Sequence, residues 1–137
     1  MRKKEQRLYD TMKSHCPSDI WLQRIENMVS VGIPDLTHLV EGGVTGWIEL
    51  KSVTTPKRAN TRLMGDEGLN KDQINWHLKY TSMGGDSWVL IRDSGQRLFM
   101  LHGKHAAKMN DWCVEEVRQN SAAHSWEGVF NVLRGLR

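Results

Sequence analysis

The chain has 137 residues, of which 39% are hydrophobic and 26% charged, and carries a formal net charge of +3. That length suits one domain, 1–137, with a modest core, and no apolar run approaches the ~18 residues of a membrane span. Met1-Arg2-Lys3-Lys4 opens with no apolar segment behind it, so no secretory signal and no membrane partner are expected, and the expected location is cytoplasmic.

The first expected element is a helix over residues 3–14, where Leu8 and Met12 give a partial apolar stripe among charges. Residues 1–13 hold the bases Arg2, Lys3, Lys4, Arg7 and Lys13 against the acids Glu5 and Asp10. Such a cluster suits a phosphate backbone through counterion release, or equally a solvated face kept basic for solubility. Pro17 and Ser18 end the helix, and residues 20–28 are strand-like. Ser30-Val31-Gly32 bends the chain, and Pro34 suits a strand start, where its missing N–H does least harm. Asp35 to Val40 forms a strand, Gly42-Gly43 turns it, and Val44 to Ser52 returns as the next.

Residues 54–68 show no periodicity and hold Lys57, Arg58 and Arg62, and a loop of this length is either functional or disordered. Leu69 to Met83 follows as the clearest helix, with Leu69, Gln73, Trp76, Tyr80 and Met83 on one face and Gly84-Gly85 as its stop. Ser87 to Ile91 is a continuous apolar run, as in a central strand. Asp93-Ser94-Gly95 then turns the chain, and Arg97 to Leu101 pairs back. From about Gly103 two helical pieces are expected, around 106–119 and 126–136, with Trp112, Trp126, Phe130 and Leu133 to pad the core or to meet another subunit. Cys16 and Cys113 lack metal-site or redox spacing and read as free or buried thiols. The whole is an α/β fold, a central mixed sheet flanked by helices in the order αβββαββ. Its core covers about 20–102, and a helical extension covers about 103–137.

Chemistry concentrates in the second hairpin. On a strand, Trp47, Glu49 and Lys51 share one face while Ile48 and Leu50 share the other. If the register sets Asp35 beside Glu49, two carboxylates and the Leu50 backbone carbonyl become hard oxygen ligands for Mg²⁺. Such an ion activates water and stabilises charge on phosphorus, and Lys51 on the same face can assist. Glu and Lys two apart on a strand are also the ordinary wet side of an amphipathic strand. Gln73 interrupts an apolar stripe, so its amide needs a partner. It also sits three residues after Asn70, where it can close a capping box.

Three blocks, Gly32-Ile33-Pro34-Asp35-Leu36, Trp47-Ile48-Glu49-Leu50-Lys51 and Leu69-Asn70-Lys71-Asp72-Gln73, together resemble the PD-(D/E)xK nuclease superfamily. Their nearest likeness is its virus-type replication-repair (VRR-NUC) branch, across about residues 20–102. The resemblance implies a restriction-endonuclease-like core, Asp35 and Glu49 as ligands of Mg²⁺ or Mn²⁺, Lys51 as the catalytic lysine, and Gln73 in support. Members often carry a further upstream glutamate. The candidates are Glu26, in a segment that resembles phage members, and Glu5 on the first helix, the place used by archaeal Holliday-junction resolvases. The chain departs from the compact family pattern in its long 52–68 segment, read as an insertion whose Lys57, Arg58 and Arg62 face DNA. Lys71, Arg2, Lys3 and Lys4 are the other candidate DNA contacts. The implied activity is a metal-dependent DNA endonuclease, structure-specific in the manner of a Holliday-junction resolvase. It is expected to act as a homodimer on branched DNA in phage replication, recombination or repair, in the host cytoplasm. The alternatives are a DNA-binding module of this fold that does not cut, and a nuclease acting on RNA.

Overall fold

The computed structural model describes residues 3–25 and 31–136. Helix α1 (Lys3–His15) is followed by strands β1 (Ile20–Arg24), β2 (Leu36–Val40) and β3 (Thr45–Val53). After them come α2 (Lys71–Ser82), β4 (Ser87–Asp93), β5 (Leu98–His102), α3 (Val114–Asn120) and α4 (Trp126–Leu133). The αβββαββ order and the mixed sheet flanked by helices are as expected from sequence. The five strands lie in the order β1-β2-β3-β4-β5. All neighbours are antiparallel except β3 and β4, which run parallel because the segment between them, with α2, crosses back over the sheet.

Strand alternation sends side chains into two cores, one on each face. On the first, Leu36, Ile48, Leu50 and Leu90 pack under Leu8 and Met12 of α1 and Phe130 and Leu133 of α4. On the second, Val53, Val89, Ile91, Phe99 and Leu101 meet Leu63, Met64, Leu69, Met109 and Val117, with Ile74 and Leu78 of α2 against them. Strand β4 is buried on both faces, which explains its continuous apolar run.

Three segments differ from expectation. Residues 54–68 are not a free loop: Leu63 and Met64 are buried, and Arg62 bridges Cys113 across to the chain before α3. The Asn110 amide clasps Leu69, accepting from its N–H at 2.9 Å and donating to its carbonyl at 2.8 Å. Adjacent apolar anchors without a period left no helical or strand signature there. On α2, the Trp76–Tyr80–Met83 stripe faces outward, with Met83 75% exposed, while His77 is the fully buried residue. Trp76 and Tyr80 stack on each other, centroids 4.9 Å apart, and Trp47 meets Trp76 edge-on at 5.5 Å. The expected helix over 106–119 is α-helical only in α3, and 3₁₀ turns at Gly103–His105 and Met109–Asp111 precede it. The chain restarts as a helix at Cys113, whose N–H donates to Glu116.

Strand residues expected at 26–28 lie outside the described residues. Helix α4 is pinned to β2 by His38, whose Nε2 donates to the Leu133 carbonyl at 3.1 Å, and Arg134 forks onto Asp19 at 2.7 and 2.8 Å. Cys16 and Cys113 are free thiols. No helix among the described residues is long and apolar enough to cross a membrane.

Candidate active site

Glu49 and Lys51 stand on the α2 side of β3, yet they are only 3% and 7% exposed. They are therefore not the wet face of an amphipathic strand. A buried carboxylate and ammonium persist only where neighbours compensate them. Asp35 sits immediately before β2, and its Oδ2 accepts from the Leu50 N–H at 2.7 Å. That bond clamps the Asp35 carboxylate to β3, close enough to Glu49 to act on its carboxyl. What the structure shows at Leu50 is thus a backbone donor that fixes Asp35, on the wall of the same cleft.

Gln73 joins the remaining groups. Its Nε2 donates to Glu49 Oε2 at 3.2 Å, and its Oε1 accepts from Lys51 Nζ at 3.3 Å. The same Oε1 accepts from the Asn70 N–H at 2.9 Å, while Asn70 Oδ1 accepts from the Gln73 N–H at 2.9 Å. The helix-cap reading of Gln73 holds, and it does not exclude a site role: the amide that closes the capping box of α2 also bonds Glu49 and Lys51.

Gly32 lies close against the first turn of α2. It adopts φ +80°, and a Cβ there would lie 2.3 Å from the Asp72 carbonyl oxygen. Only glycine lets the segment leading to Asp35 pass this close to the first turn of α2. Asp35 is held on β3 by the Leu50 N–H, and Gln73 bonds Glu49 from α2.

The electrostatics follow from this crowding. The Glu49 carboxyl is held well above the usual carboxylate range, first by burial, then by the charge and hydrogen bond of Asp35. Lys51 pulls it back, and Glu5 adds to the rise. Glu49 Oε1 is buried without a hydrogen-bond partner. A cleft of about 400 Å³ opens over the group, lined also by Glu5 of α1, Asp66 and Asn70.

The donor set fits a divalent cation. Glu49, with an unpartnered oxygen beside the Asp35 carboxyl, stays well above the usual carboxylate range even with Lys51 nearby, so further positive charge there is favourable. Among the described residues no three His, Cys, Asp or Glu side chains converge on one point, so no all-protein cage is present. Two carboxylates in an open cleft suit Mg²⁺ or Mn²⁺, since Mg²⁺ keeps several of its waters.

Of the two upstream glutamates, Glu5 lines the cleft and is mostly buried, while Glu26 lies outside the described residues, as does Arg2. Lys3, Lys4, Lys57, Arg58 and Lys71 are exposed around the molecule and do not converge on the carboxylates. Arg62 faces Asp66 at 4.0 Å and Asp111 at 3.7 Å, which ties the 54–68 segment down. Asp66, a fourth carboxylate at the cleft wall, was missed from sequence: its place depends on the turn Gly65–Glu67, which no periodicity marks.

No family model matches the chain, and no curated protein matches it. Among solved structures, the chain is similar to that of Archaeoglobus fulgidus Hjc, a Holliday junction resolvase from an archaeal hyperthermophile. The identity is 16% over 74% of this chain and 76% of that chain, with a TM-score of 0.48.

Proposed function

We propose that this chain is a Mg²⁺- or Mn²⁺-dependent DNA endonuclease of PD-(D/E)xK type, allied to the VRR-NUC branch, that hydrolyses phosphodiester bonds. The observation that carries the reading is the buried Glu49 beside a half-buried Asp35, with Glu49 Oε1 unpartnered and Lys51 tied to it through Gln73. Asp35, Glu49 and the Leu50 carbonyl would hold the metal, with Glu5 or Glu26 as the further carboxylate. When bound, the metal supplies positive charge that activates water and offsets charge building on the phosphoryl group. Lys51 places its ammonium beside the attacked phosphate, where it orients the incoming water and neutralises developing charge. Gln73 keeps Glu49 and Lys51 in register, and the Leu50 N–H keeps the Asp35 carboxylate turned toward them.

The substrate we favour is branched DNA of the Holliday-junction kind, cut by a homodimer that presents two clefts, in phage replication, recombination or repair. Lys57, Arg58, Arg62, Lys71 and the bases of the N-terminal segment, Arg2, Lys3 and Lys4, contact the backbone. The decisive experiment incubates purified protein with four-way junction, flap, single-stranded and duplex DNA, and with RNA, at added Mg²⁺ or Mn²⁺. Cutting of the junction is expected, absent in EDTA and lost in folded Glu49→Ala and Lys51→Ala. Equal cutting by wild type and both variants would sink the assignment.

A further inference from the structure

A second pocket, about 270 Å³ in volume, lies at the C-terminal ends of β3 and β4 and shares α1 and β3 with the carboxylate cleft. Lys4 and Arg7 enter it from α1 and Arg92 from β4, with Ser52 and Thr54 on the wall. Three cations line this pocket; Lys4 has an ion-pair partner, whereas Arg7 and Arg92 have none among the described residues. The lining carboxylate, Asp93, is fully engaged by Arg97, accepting from its backbone N–H at 2.8 Å and its Nε at 2.7 Å. Lys4 reaches Glu67 at 3.7 Å. Among the described residues neither Arg7 nor Arg92 has a carboxylate within ion-pair distance.

Arg92 is half-buried and is held in place by a bond from Nη1 to Thr11 Oγ1 at 3.1 Å. A positioned, partly desolvated guanidinium with no anion opposite it is unfavourable unless an anion arrives. Two guanidiniums and an ammonium around one concavity match the several oxygens of a phosphate better than the two of a carboxylate. The place is also informative. On α1, Glu5 lines the carboxylate cleft while Lys4 and Arg7 line this pocket; on β3, the neighbours Lys51 and Ser52 divide in the same way. Ser52 Oγ donates to the Lys4 carbonyl at 3.2 Å and so fastens the two elements together.

We propose that Lys4, Arg7 and Arg92 form a phosphodiester-binding subsite that seats the nucleic-acid backbone next to the position cut in the carboxylate cleft. The proposal rests on the nucleic-acid reading of the cleft and adds the place where the strand is held. Its ligand is a backbone phosphate rather than a free phosphate compound.

The test measures binding of fluorescent duplex and four-way junction DNA in EDTA, where nothing is cut, across a series of salt concentrations. Arg7→Gln and Arg92→Gln are each expected to lower the slope of log K against log salt by ~0.9 on the duplex, and the double variant by about twice that. The loss should be uniform across sequences, as for backbone contacts. Unchanged slopes, with wild type binding DNA, overturn the subsite and leave the nuclease reading intact. Reduced slopes in a protein that cuts nothing leave the subsite standing and remove the nuclease reading. Inorganic phosphate serves as the competing probe: if it raises the Tm of wild type and not of the variants while the DNA slopes are unchanged, the pocket takes free phosphate and the proposal fails. Arg7 is exposed, so its variant keeps the comparison interpretable even if Arg92→Gln is destabilised.

Discussion

Placing Glu49 beside Asp35 puts two carboxyl groups where only one negative charge is readily tolerated without a cation. Because Glu49 holds its proton above the normal range, folding free energy is lost as pH rises from its unfolded-state value through the folded one. A neutral amide of the same shape removes that cost. Glu49→Gln should therefore raise the metal-free Tm near neutral pH while abolishing cutting. Added Mg²⁺ or Mn²⁺ should raise the Tm of wild type, by mass action, and not of the variant. A variant less stable than wild type without metal would refute this account. Gln73 allows a finer separation. Gln73→Ala removes the reciprocal half of the capping box and both bridging bonds, while Asn70 still caps through the residue-73 N–H, at a cost of about 1–2 kcal/mol with loss of activity. Gln73→Glu keeps an acceptor for the Asn70 N–H and so should recover most of that stability. It offers Glu49 a like charge in place of a donor and should stay inactive. Thermal melts and cleavage rates of the two variants together distinguish cap from bridge.

At the scale of elements, α2 is the part that holds the site, and its docking depends on His77. That ring is fully buried, shares a 2.7 Å hydrogen bond between Nδ1 and Ser87 Oγ, and leaves Nε2 without a partner. Burial, then the charges of His102 and Lys51, push its pKa from 6.5 down to about 4. The folded protein thus keeps His77 neutral while the unfolded chain protonates it below 6.5, so this contribution is whole above that pH and is lost as pH falls toward 4. The loss is on the order of 3 kcal/mol at ~1.4 kcal/mol per unit. Denaturant titrations across this window should show a steep decline in wild type and a shallower one in His77→Asn, which keeps a partner for Ser87. Parallel declines would place the effect elsewhere. Asp19, lowered chiefly by its bond to Arg134, acts only in more acidic solution. This docking was hidden in the sequence. The stripe of Gln73, Trp76, Tyr80 and Met83 marked a helix correctly but named the wrong inner face, because a histidine stands at the most buried position. Strand alternation served better: Ile48 and Leu50 marked the core side of β3, and so the face of Glu49 and Lys51. That the face is dry depended on Gly32, Asn70 and Leu69 arriving from far along the chain, contacts that no local period encodes.

Across the whole molecule, the residues after β5 take part in both cores rather than in one. Ala106, Met109 and Val117 fill the α2 side, while Val129, Phe130, Val132 and Leu133 fill the α1 side. Burial of a large apolar side chain contributes about 1.5–3 kcal/mol, so the five largest together give on the order of 10 kcal/mol. A domain of this kind has a net stability of only about 5–15 kcal/mol. The segment also closes the sheet. Beyond β5 the edge would be open, but the Met100 N–H donates to Ser121 Oγ at 2.7 Å and its carbonyl accepts from the Ala122 N–H at 2.8 Å. An uncovered edge strand of Leu98, Phe99, Met100 and Leu101 invites pairing with other chains. A chain ending at His102 keeps Asp35, Glu49, Lys51 and Gln73, yet it should show no cooperative thermal transition, bind hydrophobic dye and aggregate. A sharp transition at a similar Tm would mean that α1, α2 and the sheet suffice, and that the C-terminal segment serves the site or a partner instead.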